Sequence, residues 1–186
     1  MPMNPEKFKQ IITEHFKTVT PEEFLENPTA PFESKKFPKP LAFNVVPQVD
    51  VFMENGFTLE EQKMVQETRK ILGIPELRIS ATCVRVPVLN GHSEAVYIET
   101  KKPLDRNALI EVIKSGEELV VYESLNTSDY PTARQLSSKN HVHVGRVRID
   151  PQNPVGFWSW IVADNLRVGA ALNAIQIAER VIGRTI

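Results

Sequence analysis

The sequence predicts an α+β chain organised around a mixed, largely antiparallel sheet with helices on one face. Two observations carry that prediction. Beyond Leu41, runs with the two-residue period of a strand outnumber runs with helical period. The two kinds also fail to alternate in the strict order that a doubly wound parallel sheet demands.

Taken in order, the elements begin with a proline-punctuated lead-in. Eight of the fourteen prolines fall in the first fifty residues, leaving room for short helices at Pro5–Phe16 and Pro21–Leu25. Thr20-Pro-Glu-Glu23 supplies an N-cap residue, a proline at the first helical position and acidic residues in the first turn. Residues 27–40 read as a linker, so 1–37 form an unassigned lead-in and 38–186 the domain proper. Thr58-Leu-Glu-Glu61 is a capping box, opening a helix that carries Met64, Val65, Thr68, Ile71 and Leu72 on one side and stops at Gly73. A second helix is expected over Leu104–Ser115, burying Ala108, Leu109, Val112 and Ile113 and ending at Gly116. Strands are expected at Leu77–Val88, Ser93–Thr100, Glu118–Glu123, His141–Ile149 and Phe157–Val162, and a last, apolar helix at Asp164–Ile182.

Composition narrows the function. A chain of 186 residues with 41% hydrophobic and 24% charged residues has the balance of a soluble globular protein. Its formal net charge of −1 gives no broad positive field for nucleic acid, and Ser34-Lys-Lys36 and Lys101-Lys102 read as solvated loops. No apolar run has the length of a membrane span and the N-terminus lacks the apolar stretch of a signal peptide, so a cytoplasmic location and no membrane partner are expected. No glycine-rich loop is spaced to cradle a pyrophosphate. The lone cysteine, Cys83, rules out an internal disulfide. It sits in an apolar run with no helix start after it, the setting of a small buried hydrophobe rather than of an activated thiolate. His141 and His143 share one strand face but have no third ligand at metal spacing, and they read as exposed strand residues; no metal site is expected.

One stretch carries the chemistry. From Ile79 to Val96 the chain sets Arg85 and His92 seven residues apart, with Pro87 and Asn90-Gly91 between them. An odd separation on a straight strand would send them to opposite faces, but Pro and Asn-Gly favour a bend that would let them converge. A guanidinium suits a substrate carboxylate, and an imidazole suits proton transfer near neutrality. Equally, Arg85 could pair with a structural carboxylate and His92 could be a turn histidine.

Six motifs in order then resemble one family: Asn44-Val-Val-Pro-Gln-Val-Asp50, Glu67-Thr-Arg-Lys70-Ile-Leu, Ser80-Ala-Thr-Cys-Val-Arg85-Val-Pro-Val, Gly91-His92-Ser-Glu-Ala-Val, Val144-Gly-Arg-Val-Arg-Ile-Asp150 and Val162-Ala-Asp-Asn165-Leu-Arg-Val-Gly-Ala-Ala171. From about Pro38 to Ile182 the chain resembles the C-terminal, substrate-binding and dimerisation half of aspartate-semialdehyde dehydrogenase. The resemblance implies a fold similar to the catalytic domain of glyceraldehyde-3-phosphate dehydrogenase. It also implies an NADP-dependent interconversion of aspartyl phosphate and aspartate semialdehyde, with phosphate as co-substrate, on the route to lysine, threonine and methionine. By position, His92 matches the general acid/base and Arg85 the residue that binds the substrate carboxylate. Glu67 matches the carboxylate that holds the substrate amino group, and Lys70 the lysine that helps hold phosphate. Asn165 matches the amide that meets the nicotinamide carboxamide. Glu67 and Lys70 could instead form an ordinary surface pair, and Asn165 could be a helix N-terminal residue.

The family's dinucleotide domain and its Asn-Cys segment have no counterpart in these residues. The chain is therefore expected to be a truncated form, inactive alone and binding no NADP by itself. The alternative is a non-catalytic dimerisation or regulatory module that retains the fold. N-acetylglutamyl-phosphate reductases remain a neighbouring possibility. Leu166, Val168, Ile175 and Ile177 cannot all face one core, so the last helix should expose apolar surface that is met either by self-association, as a homodimer or higher oligomer, or by burial under the N-terminal segment.

Overall fold

The computed structural model describes residues 6, 26–27, 37–41, 44–136 and 139–183. The described residues fall into two compact units that divide between Pro87 and Val88. The helices expected at Pro5–Phe16 and Pro21–Leu25 lie outside the described residues, Glu6 apart.

The unit ending at Pro87 is organised by helix α1, Leu59–Leu72. Its capping box forms as expected: the Thr58 hydroxyl accepts from the Glu61 N–H, and the Glu61 carboxylate accepts from the Thr58 N–H. At the other end Gly73 takes the left-handed conformation with φ 65°, and its N–H donates to the last carbonyls of the helix. The apolar side behaves otherwise. Met64, Ile71 and Leu72 are exposed, Ile71 to 81%, and the one buried residue of α1 is Glu61.

A second correction concerns Leu77–Val88, which is not a strand. Along this segment Arg85 alone forms a β-bridge among the described residues, antiparallel to Val46. The physical reason lies in where its backbone bonds go: the Cys83 N–H donates to the Glu61 side chain, not to a neighbouring strand.

The unit from Val88 onward holds a four-stranded mixed sheet, so the fold class is α+β. Its strands are β1 (His92–Glu99), β2 (Leu119–Val121), β3 (Val142–Asp150) and β4 (Asn153–Ala163), in the order β1-β4-β3-β2. The pairs β1/β4 and β4/β3 are antiparallel, and the short β2 runs parallel to β3. Helix α2, Arg106–Lys114, starts at Asp105, whose carboxylate accepts from the Ala108 N–H, and crosses from β1 to β2. It seats Ile110 among Val144, Val147 and Phe157, with Leu109 and Ile113 packed at the margin. Ala108 and Val112, expected inside, are exposed, Val112 to 68%. The buried stripe is therefore rotated by about one residue from the predicted one.

His143 is likewise no exposed strand residue. It is fully buried in β3, with Nδ1 3.2 Å from the Tyr122 hydroxyl, while His141 lies just before the strand. The expected last helix begins as a π-helical turn, Arg167–Ala171, and continues as α3, Leu172–Ile182. No residue of α3 is buried, and Ile175, Ile177, Val181 and Ile182 are exposed.

Candidate functional site

In the first unit, the candidate substrate-binding residues stand on α1 and on the extended segment after it. Glu67 and Lys70 are one turn apart on α1, both exposed. Among the described residues they do not pair with each other or with another charge. Arg85 is held by its backbone. Its N–H donates to the Val46 carbonyl at 2.8 Å, and its carbonyl accepts from the Val46 N–H at 3.0 Å, with Val46 itself buried. The guanidinium lies 5.3 Å from the centre of the Phe37 ring, a cation–π contact, and makes no ion pair among the described residues. A fixed backbone beneath an exposed guanidinium leaves the charged fork available to an anion.

Side chains of α1 tie it to the backbone of that segment at two places among the described residues. Arg69 Nε donates to the Leu77 carbonyl at 2.9 Å, and Glu61 Oε1 accepts from the Cys83 N–H at 2.8 Å. The backbone N–H groups of Thr58 and Cys83 hold the Glu61 carboxyl below its ordinary range, against the opposing effect of burial. Cys83 is half-buried, with Sγ 3.4 Å from Met64 Sδ.

The second unit holds His92 and Asn165. His92 opens β1 opposite Ala163 of β4 and is exposed. The residue before it, Gly91, has φ 91°, and a Cβ there would meet the Ala163 carbonyl oxygen at 3.1 Å. Both the left-handed backbone and the close approach call for glycine. The Gly91 N–H donates to Asn165 Oδ1 at 3.2 Å, so Asn165 anchors the turn that leads into His92. The helix start is served instead by Asp164, whose Oδ1 accepts from the Leu166 N–H and whose carbonyl accepts from Arg167 and Val168. Sequence reasoning marked Thr58-Leu-Glu-Glu61 only as a cap, and it missed that the Glu61 carboxylate reaches Cys83.

A family profile described as semialdehyde dehydrogenase, dimerisation domain, matches residues 9–168. The chain belongs to this family. The match starts inside the stretch 1–37 that the motifs left unassigned. Aspartate-semialdehyde dehydrogenase 2 of Vibrio cholerae is 45% identical over 153 residues, covering 82% of this chain and 44% of that protein. Among solved structures, aspartate semialdehyde dehydrogenase II from Vibrio cholerae complexed with ASA superposes with a TM-score of 0.77 at 44% identity, over 87% of this chain and 47% of that one. Aspartate semialdehyde dehydrogenase with NADP from Candida albicans gives 0.59 at 25% identity, over 75% of this chain and 44% of that one. The chain thus spans less than half the length of these members of the semialdehyde dehydrogenase family.

Proposed function

We propose that this chain is the substrate-binding and dimerisation part of an aspartate-semialdehyde dehydrogenase, acting in the NADP-dependent interconversion of aspartyl phosphate and aspartate semialdehyde. The observation that carries the reading is Arg85: an exposed guanidinium on a backbone clamped to buried Val46, with no ion pair among the described residues. In this reading Arg85 binds the substrate carboxylate through two parallel charged hydrogen bonds. Glu67 takes the substrate amino group and Lys70 takes phosphate. His92 manages the proton at the reacting carbonyl, its backbone set by the turn at Gly91.

Asn165 fits a carboxamide partner. Its Oδ1 is engaged by the Gly91 N–H, which leaves the amide N–H2 as a donor for a carboxamide oxygen. NADP, when bound, supplies the hydride acceptor. We assign Cys83 no nucleophilic role, since its thiol packs on Met64 and its backbone is tied to Glu61. By themselves these residues bind the substrate without completing the redox step.

The apolar surface of α3 supports the dimer. The test is titration calorimetry of aspartate semialdehyde into the chain, beside an assay with NADP and phosphate. Binding that Arg85→Ala weakens by at least about tenfold, with no turnover, is the expected outcome. Turnover would refute the exclusion of Cys83. A dimer that binds no substrate would leave a dimerisation module without a substrate site.

A further inference from the structure

Glu61 does more than begin a helix. Its two carboxylate oxygens serve two different parts of the chain: Oε2 accepts from the Thr58 N–H at 2.8 Å, and Oε1 accepts from the Cys83 N–H, 22 residues away, at 2.8 Å. The side chain is 7% exposed, so both bonds are made largely out of water, where a charged acceptor is costly to leave unpaired. Cys83 lies two residues before Arg85, so a bond to its backbone N–H acts within two residues of the guanidinium's own Cα.

We propose that Glu61 is a positioning residue for substrate binding: its carboxylate sets the register of the Arg85 segment against α1, and thereby fixes Arg85 relative to that helix. The proposal rests on the reading of Arg85 given above. The Val46 bridge fixes the backbone of Arg85 but reaches no residue of α1. Among the described residues Arg69 to Leu77, Met64 to Cys83 and Glu61 to Cys83 tie α1 to the segment, and of the two bonds to its backbone that of Glu61 is nearer to Arg85 in the sequence. A carboxylate suits the task because it offers two acceptors and no donor, whereas an amide of the same size must turn its N–H2 toward one of the two N–H groups. A substrate that needs its carboxylate and its amino group held together is sensitive to that register, since misplacement by a fraction of an ångström loses bidentate geometry.

The experiment compares wild type, Glu61→Gln, Thr58→Ala and Arg85→Ala by calorimetric titration with aspartate semialdehyde, with circular dichroism and unfolding midpoints as controls for folding. Thr58→Ala removes the hydroxyl side of the capping box and leaves the Cys83 bond intact, so it reports what loss of stability alone does to binding. The expected result is that E61Q loses about tenfold in affinity while T58A stays within about twofold, in line with the strength of a charge-assisted bond. An E61Q protein that is folded and binds as wild type, while R85A does not, overturns the positioning role and leaves the function standing. Wild type that does not bind, or R85A that binds as wild type, overturns the function itself. If E61Q does not fold, amide exchange at Cys83 in the wild type decides. Saturating substrate should slow it, because substrate and the Glu61 bond favour the same arrangement, and exchange unchanged by substrate overturns the proposal.

Discussion

Helices α1 and α2 begin alike, each with a side-chain oxygen accepting a backbone N–H of the first turn, yet α2 buries an isoleucine and α1 buries a glutamate. The packing that holds Ile110 against Val144, Val147 and Phe157 is non-directional and tolerates small rotations. The bonds made by Glu61 fail if the acceptor moves or turns far from its donors. The helix that carries two candidate substrate contacts is thus held by the directional kind of force, and the helix that roofs the sheet by the other. Directional ties suit a region where angles matter and apolar area is scarce.

Substitutions sharpen this contrast, and the largest effect belongs to the sheet. Ile110→Ala should destabilise by about 2–5 kcal/mol, because it opens a cavity in the best-packed cluster of its unit; urea denaturation reads the change. Glu61→Ala follows at about 1–3 kcal/mol, since it strands two N–H donors. A cost near zero would mean that α1 is not held by these bonds.

The same carboxylate predicts a pH dependence. Its folded pKa lies below the ordinary value of 4.5, so the stability it contributes is fully present above that value and is lost as pH falls through the folded pKa. The difference between wild type and Glu61→Gln should therefore shrink as pH drops below 4.5 and be flat above it, by unfolding at matched pH. Thr58→Ala should cost about 1 kcal/mol, the ordinary worth of an N-cap. Smallest is Val112→Ala, on the exposed side of α2, within about 0.5 kcal/mol of wild type by the same denaturation.

What could be read from the residues alone was what is decided locally. The capping box and Gly73 delimit α1 because cap chemistry acts within four residues, and the mixed, largely antiparallel sheet followed from the order of the strand-like runs. Leu77–Val88 has the period of a strand, but that period says nothing about partners, and Cys83 finds its acceptor 22 residues back. His143 reads as exposed in the sequence because Tyr122, which bonds to it, stands 21 residues away, just after β2. In α2 the apolar residues are dense enough to permit two stripes, and the sheet selects the one through Ile110. For the site, the motifs named Glu67, Lys70, Arg85, His92 and Asn165, but not the anchoring of the Gly91 turn by Asn165 or the second bond of Glu61, since neither leaves a local mark.

Among the described strands β1 pairs with β4 alone, so its other side, eight residues long, is an edge of the described sheet. Such a border is a template for runaway stacking of strands. Glu94 and Glu99, exposed on this strand, are charges of the kind that disfavour such stacking, since a second copy in a register that sets them opposite each other would meet like charge. The strand that presents His92 therefore also carries charges that oppose edge-to-edge stacking.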